Sequence, residues 1–189
     1  MKKLVLALLF LSFAMVSCSD DNDDNDTPTT TSQSMTVTKN GVDFQISSPT
    51  STLINTTQSG ESGRRLDVNA TVDDGQFVLT ISNWDWQNPP ENGLIQKTYY
   101  TNNTSANACQ SSNGYSYCDG GLITYKPSGS NVSLLSNMET VDEGYITITA
   151  NNTSNKTISG NFHSVVKDFH GNDSIMFEGS FSNIPYTVY

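Results

Sequence analysis

The chain has 189 residues and a formal net charge of −10, from 19 acidic and 9 basic side chains. So acidic a protein repels phosphate backbones, which argues against nucleic acid as a partner. Asx, Ser, Thr and Gly abound while Leu and Ala thin out after the N-terminus, a bias against helices and towards strands joined by tight turns.

The first segment reads as a signal peptide. Lys2 and Lys3 precede an apolar run, Leu4 to Val16, broken only by Ser12. At about 1.5 Å per helical residue the run spans roughly 20 Å, short of a hydrocarbon core of about 30 Å. It is therefore an export signal rather than a membrane span. Val16-Ser17-Cys18 follows, a small residue directly before cysteine, and this resembles a lipobox, although Met15 stands where such sites usually carry Leu. The expectation is removal of residues 1–17 and lipidation of Cys18. Two or more acyl chains hold a protein stably on a membrane where one does so only marginally. Loss of Lys2 and Lys3 would take the charge from −10 to −12.

Residues 18–34 form the expected tether. Ser19 to Ser34 holds five aspartates and no aliphatic or aromatic side chain, so it cannot bury enough surface to offset chain entropy. As a flexible coil it reaches roughly 20–25 Å. An EF-hand loop would need Gly and Glu in a register absent here. Ser19-Asp20-Asp21-Asn22-Asp23-Asp24 resembles the Asp-rich signal that follows the lipidated cysteine in surface-exposed lipoproteins of the Bacteroidota. That resemblance implies display on the outer face of the outer membrane. No later segment approaches about 18 consecutive apolar residues, so the lipid is expected to be the only membrane attachment.

Residues 35–189 have the size of one domain and can bury a full core without a metal. Met35 and Val37 lead into Asn40-Gly41, and Val42, Phe44 and Ile46 follow in alternation, a strong hairpin signal. Leu66, Val68, Ala70 and Val72 make a second face, turned by Asp73-Asp74-Gly75 into Phe77, Leu79 and Ile81. The stretch 84–143 is less regular, with strands expected near Thr98–Tyr100 and Leu122–Tyr125 and one helical turn within 134–139. Ile146 and Ile148, then Ile158, Gly160 and Phe162, then Ile175, Phe177, Gly179 and Phe181, predict a C-terminal three-stranded meander. Each strand turns its apolar side chains to one face, as antiparallel sheets over a core do. About eight such strands predict an all-β domain, an antiparallel β-sandwich or open barrel.

Two groups of residues in the middle stretch carry chemistry. Cys109 and Cys118 flank Asn113-Gly114 and, in an oxidising compartment, are expected to form a disulfide that staples a hairpin. In Ser82-Asn83-Trp84-Asp85-Trp86-Gln87, a strand would point Trp84 and Trp86 the same way. If exposed, the two indoles beside amides make a sugar-stacking platform; if buried, they fill the core or seal a sheet edge.

The C-terminal third also carries a family resemblance. Gly144-Tyr145-Ile146-Thr147-Ile148-Thr149, Lys156-Thr157-Ile158-Ser159-Gly160-Asn161-Phe162 and Glu178-Gly179-Ser180-Phe181-Ser182-Asn183-Ile184, after the opening Asn40-Gly41-Val42-Asp43-Phe44, resemble an uncharacterised family of Bacteroidota surface lipoproteins. Ser164-Val165-Val166 departs from the family's usual apolar–x–Ala. The resemblance implies a fold and a location, and no activity.

Catalytic and metal signals are weak. His163 is expected to face outward and His170 to sit in a turn; neither has a second His or Cys at zinc-ligand spacing. No nucleophile elbow or phosphate-binding glycine loop occurs. Asp85, Glu91, Glu139, Asp142 and Glu143 lie in the irregular middle, where a carboxylate pair would have to be assembled in space. No cofactor is implied. Anchor, tether and β-domain together point to a non-catalytic binding module for a glycan or a surface partner; the alternative is a structural or assembly component of the envelope.

Overall fold

The computed structural model describes residues 32–58, 61–73, 75–84, 94–101, 109–112, 114–138, 144–171 and 173–189. Alternating sequence becomes strand almost throughout. In chain order these are β1 (Ser34–Lys39), β2 (Val42–Ile46), β3 (Thr50–Gln58), β4 (Glu61–Val72), β5 (Gly75–Asn83), β6 (Thr98–Tyr100), β7 (Cys109–Ser112), β8 (Tyr115–Cys118), β9 (Gly120–Lys126), β10 (Leu134–Leu135), β11 (Tyr145–Asn152), β12 (Thr157–Lys167) and β13 (Ser174–Val188). A 3₁₀ turn at Ser136–Met138 sits inside the stretch expected to make one helical turn. Among the described residues no helix is long and apolar enough to cross a membrane.

The expected all-β architecture is present, with its two alternatives merged. Pairing runs β13-β3-β4-β5-β9-β10-β12 and returns to β13, so seven strands form a closed circuit. β1 and β2 extend from one side of β13, and β11 and β6 from the far side of β12. One wall is therefore β2-β1-β13-β12-β11-β6; the other is β3-β4-β5-β9-β10. The corners are made by Tyr186–Val188 of β13, which pair with β3, and by β10, which pairs with both β9 and β12. The β13–β3 pairing is parallel, against the expectation of a wholly antiparallel sheet. The expected hairpins at Asn40-Gly41 and after Val72 join β1–β2 and β4–β5, and β11–β12–β13 form the C-terminal meander. Ser34 already pairs with Ser182, so β1 begins one residue before the expected domain edge.

The core fills the circuit. Phe77 of β5 lies across from β12 and β13, and its ring centroid is 5.5 Å from Phe162 and 5.0 Å from Phe177. Tyr125 of β9 stacks 5.1 Å from Phe177. Tilted rings at these separations add to the area they bury. At one end, Tyr125 leans over Gly75, where a Cβ would lie 2.4 Å from the ring. Lys39 Nζ donates to the Tyr125 hydroxyl and to Asp73 at 3.0 and 3.1 Å. Burial opposes the Lys39 charge, but the bonds to Tyr125 and Asp73 outweigh it and raise its pKa.

The Gly-x-Phe repeats in β12 and β13 now have a physical reason. Register places Gly160 opposite Phe181 and Phe162 opposite Gly179. A Cβ on Gly160 would meet the Phe181 ring at 2.6 Å; one on Gly179 would meet the Phe162 ring at 2.8 Å. Each strand thus supplies the ring that covers the other's glycine, a reciprocal lock on register.

Candidate functional site

Cys18 and Trp86, together with Asp85, Glu91, Glu139, Asp142 and Glu143, lie outside the described residues. Cys109 and Cys118 are joined by a disulfide with an S–S distance of 2.05 Å. They stand opposite each other at the open end of the β7–β8 hairpin, which forms its own two-stranded sheet.

Of the two indoles expected on one face of a strand, only Trp84 is among the described residues. β5 ends at Asn83, so Trp84 lies just beyond the ladder where period-two alternation no longer fixes its direction. Trp84 is half-buried; its ring lies 5.3 Å from Tyr117 and covers Gly63, whose Cβ would come within 2.7 Å of the indole. This side chain packs the first part of β4, an interior strand, against Tyr117 of the β7–β8 hairpin. Beside it, the buried Asp119 carboxylate accepts from Asn83 Nδ2 at 3.0 Å and from the Trp84 N–H, and pairs with Lys97 Nζ. One carboxylate thus ties the end of β5, the entry to β9 and the approach to β6. Lys97 also lies 5.1 Å from the centre of the Tyr99 ring. Burial, reinforced by the Asp119 charge and partly offset by the bond to the Ile95 carbonyl, pushes the Tyr99 phenol pKa upward. Both Asp119 oxygens are engaged, by the Asn83 amide, the Trp84 N–H and Lys97, while the Asn83 Oδ1 is buried with no hydrogen-bond partner among the described residues. The arrangement fits a structural latch, and among the described residues no nucleophile lies beside a base in it.

The outer face of the β6-to-β2 wall has a different character. Alternation that buries Ile146, Ile148 and Phe162 turns Tyr145, Thr147, Asn161 and His163 outward. Register carries this across six strands in two rows. One is Thr98–Thr147–Asn161–Ser180–Thr36–Gln45 and the other Tyr100–Tyr145–His163–Glu178–Thr38–Asp43. Thr98 and Thr147 hydroxyls lie 2.9 Å apart, Gln45 Nε2 donates to Thr36 Oγ1 at 3.0 Å, and Thr38 Oγ1 donates to Asp43 at 2.6 Å. His163, facing outward as expected, has its ring 6.0 Å from Tyr145 and Nδ1 3.7 Å from Glu178. Thr98, Tyr100, Tyr145, Thr147 and Asn161 line a shallow open cleft at one end of the rows. His170 sits in the β12–β13 turn, exposed, 5.6 Å from the Phe169 ring.

The cleft places two phenol rings directly opposite each other on neighbouring strands, with hydroxyls and an amide at their feet. Such a surface stacks an apolar ring face and bonds its polar edge. Among the described residues no group of three or more His, Cys, Asp or Glu could hold a metal. Sequence reading missed this pair. Tyr145 was legible as outward-facing, but its partner Tyr100 comes from a three-residue strand 45 positions earlier. The fold and this face define an all-β sandwich closed at its corners, with one wall presenting an ordered polar surface. No family model, curated protein or solved structure matches the chain.

Proposed function

We propose that this chain is a non-catalytic binding module, anchored in the outer membrane by lipid at Cys18, displayed at the cell surface, and binding a glycan or surface partner through the outer face of the β6-to-β2 wall. The observation that carries the reading is the Tyr100–Tyr145 cross-strand pair over Thr98, Thr147 and Asn161. The paired-indole platform gives way to it, because Trp84 is committed to Gly63 and Tyr117. Location rests on Val16-Ser17-Cys18 and on the aspartates at 20–24. The reciprocal packing of Gly160 and Gly179 under Phe181 and Phe162 supports kinship with the uncharacterised Bacteroidota lipoprotein family, since it gives that ending a structural purpose.

The test of the binding site is a polysaccharide and cell-surface binding panel with the wild type, Tyr145→Ala and Trp84→Phe. Loss of binding in Tyr145→Ala alone supports the reading; loss in Trp84→Phe alone moves the site to the latch. Cys18→Ala should abolish partition into detergent, and alanines at the aspartates of 20–24 should reduce protease accessibility on whole cells without affecting lipidation.

An assembly role is favoured by one observation. Val42, which opens β2, and Phe169, in the β12–β13 turn, are 58 % and 79 % exposed, and the exposed Met176 near the start of β13 accepts from the Asn40 N–H through its backbone carbonyl, at the same end of the domain. Cross-linking that captures an envelope protein through this end, with no ligand on the tyrosine face, would support that reading.

A further inference from the structure

We infer that the ligand of the tyrosine face is a single, soluble, uncharged polysaccharide chain lying across the strands. One pyranose ring would stack at Tyr100–Tyr145, and its neighbours would hydrogen-bond along Thr98, Thr147, Asn161 and Ser180. This deepens the proposed function and rests on it.

Three observations converge on this ligand. The first is chemical. A pyranose has an apolar C–H face and a rim of hydroxyls that both donate and accept; the cleft offers phenol rings for the face and hydroxyls and an amide, which also donate and accept, for the rim. A protein partner would call for a dry aromatic or apolar patch core, whereas the row at the foot of the tyrosines is polar along its whole length.

The second is charge. Of the twelve side chains in the two rows, Asp43 and Glu178 are acidic and none is Lys or Arg. The chain as a whole carries −10. A uronate-rich or sulfated polymer would meet repulsion and find no guanidinium or ammonium within the two rows to pair with. An uncharged polymer meets neither obstacle.

The third is dimension and twist. Neighbouring strands are about 4.8 Å apart, close to the advance of one sugar along an extended β-linked chain, so the row from Thr98 to Ser180 covers roughly 14 Å. Three or four consecutive sugars would then each meet one strand's side chain. Strand-to-strand rotation of about 20–25° accumulates to roughly 100° or more over six strands. A flat crystalline surface could touch only one strand pair of such a wall, but a lone flexible chain can follow it.

The experiment is native affinity electrophoresis of the lipidated full chain in mild detergent. The gels contain hydroxyethylcellulose, xyloglucan or galactomannan as neutral polymers, and polygalacturonate or heparin as anionic ones. A parallel pull-down uses crystalline cellulose. At least one neutral polymer should retard the protein, the anionic ones and crystalline cellulose should not, and Tyr145→Ala should weaken retardation about tenfold or more while Tyr145→Phe keeps it within about threefold. Asn161→Ala changes an exposed side chain and should weaken binding about threefold, so it carries the test should Tyr145→Ala fail to fold. Retardation by anionic polymers alone, or retention on crystalline cellulose, overturns this inference and leaves the binding module standing. No polysaccharide binding, with a cross-linked protein partner lost in Tyr145→Ala, does the same. No binding of any kind that depends on Tyr145 overturns both.

Discussion

Alanine at Gly179 tests the reciprocal lock between β12 and β13. A Cβ there would stand 2.1 Å from the Thr36 carbonyl oxygen of β1 and 2.8 Å from the Phe162 ring. Carbon–oxygen contacts between strands lie at about 3.3–3.6 Å, so β1 would have to retreat by roughly 1 Å. Gly179 does not have a positive φ, and at an unstrained site Gly→Ala ordinarily stabilises by about 0.4–1 kcal/mol through the unfolded chain. The two arguments therefore predict opposite signs. Overpacking of this kind costs about 1–3 kcal/mol and sometimes more, and the contact with backbone sets the expectation at the top of that range, about 3 kcal/mol. For a domain of this size that lowers Tm by about 6–12 °C. Gly41→Ala is the control: it has open space around it but φ +82°, so it should cost only about 1–2 kcal/mol. Urea unfolding of both variants followed by circular dichroism measures the difference. A Gly179→Ala midpoint at or above wild type would refute the packing argument.

Other consequences are equally direct. Asp119→Ala should destabilise by about 3 kcal/mol, because it strands the Asn83 amide and the Trp84 N–H and unpairs Lys97; a shift in urea midpoint, with a change in tryptophan emission, reports it. Tyr99 keeps its proton in the fold to higher pH than in the unfolded chain, so its contribution is complete below about pH 10 and is lost as pH rises above that. Wild type should therefore lose stability as pH rises above about 10, and Tyr99→Phe should show a shallower loss over the same range. Cys109→Ser should leave Tm nearly unchanged but open the β7–β8 hairpin to protease, since that hairpin lies outside the large sheet.

The legible parts of the fold were those where local pattern and burial agree. Asn40-Gly41 between alternating runs marked β1–β2, and the Ile, Phe and Gly alternation from 146 to 181 marked the meander. β3 escaped because Thr50–Gln58 holds only Leu53 and Ile54 among polar residues, and it is strand by virtue of its neighbours β4 and β13. The corners were not legible: β10 is two residues long, and a parallel return of β13 onto β3 depends on contacts more than 130 positions apart. At the site, the indoles drew notice as the largest aromatic side chains, yet Gly63 and Tyr117, which hold Trp84, are remote in sequence. The tyrosine pair stayed hidden because pairing across strands, unlike alternation within one, has no local signature.

The proposed binding surface of this protein is the Tyr100–Tyr145 face. Titration of the isotope-labelled protein with a neutral oligosaccharide, read by amide and aromatic chemical shifts, tests it most directly. Perturbations should concentrate on Thr98–Tyr100, Tyr145–Thr147 and Asn161–His163, with Trp84 and Tyr117 unmoved. Shifts centred on Trp84, Tyr117 and Asp119 instead, with the tyrosine face silent, would contradict it.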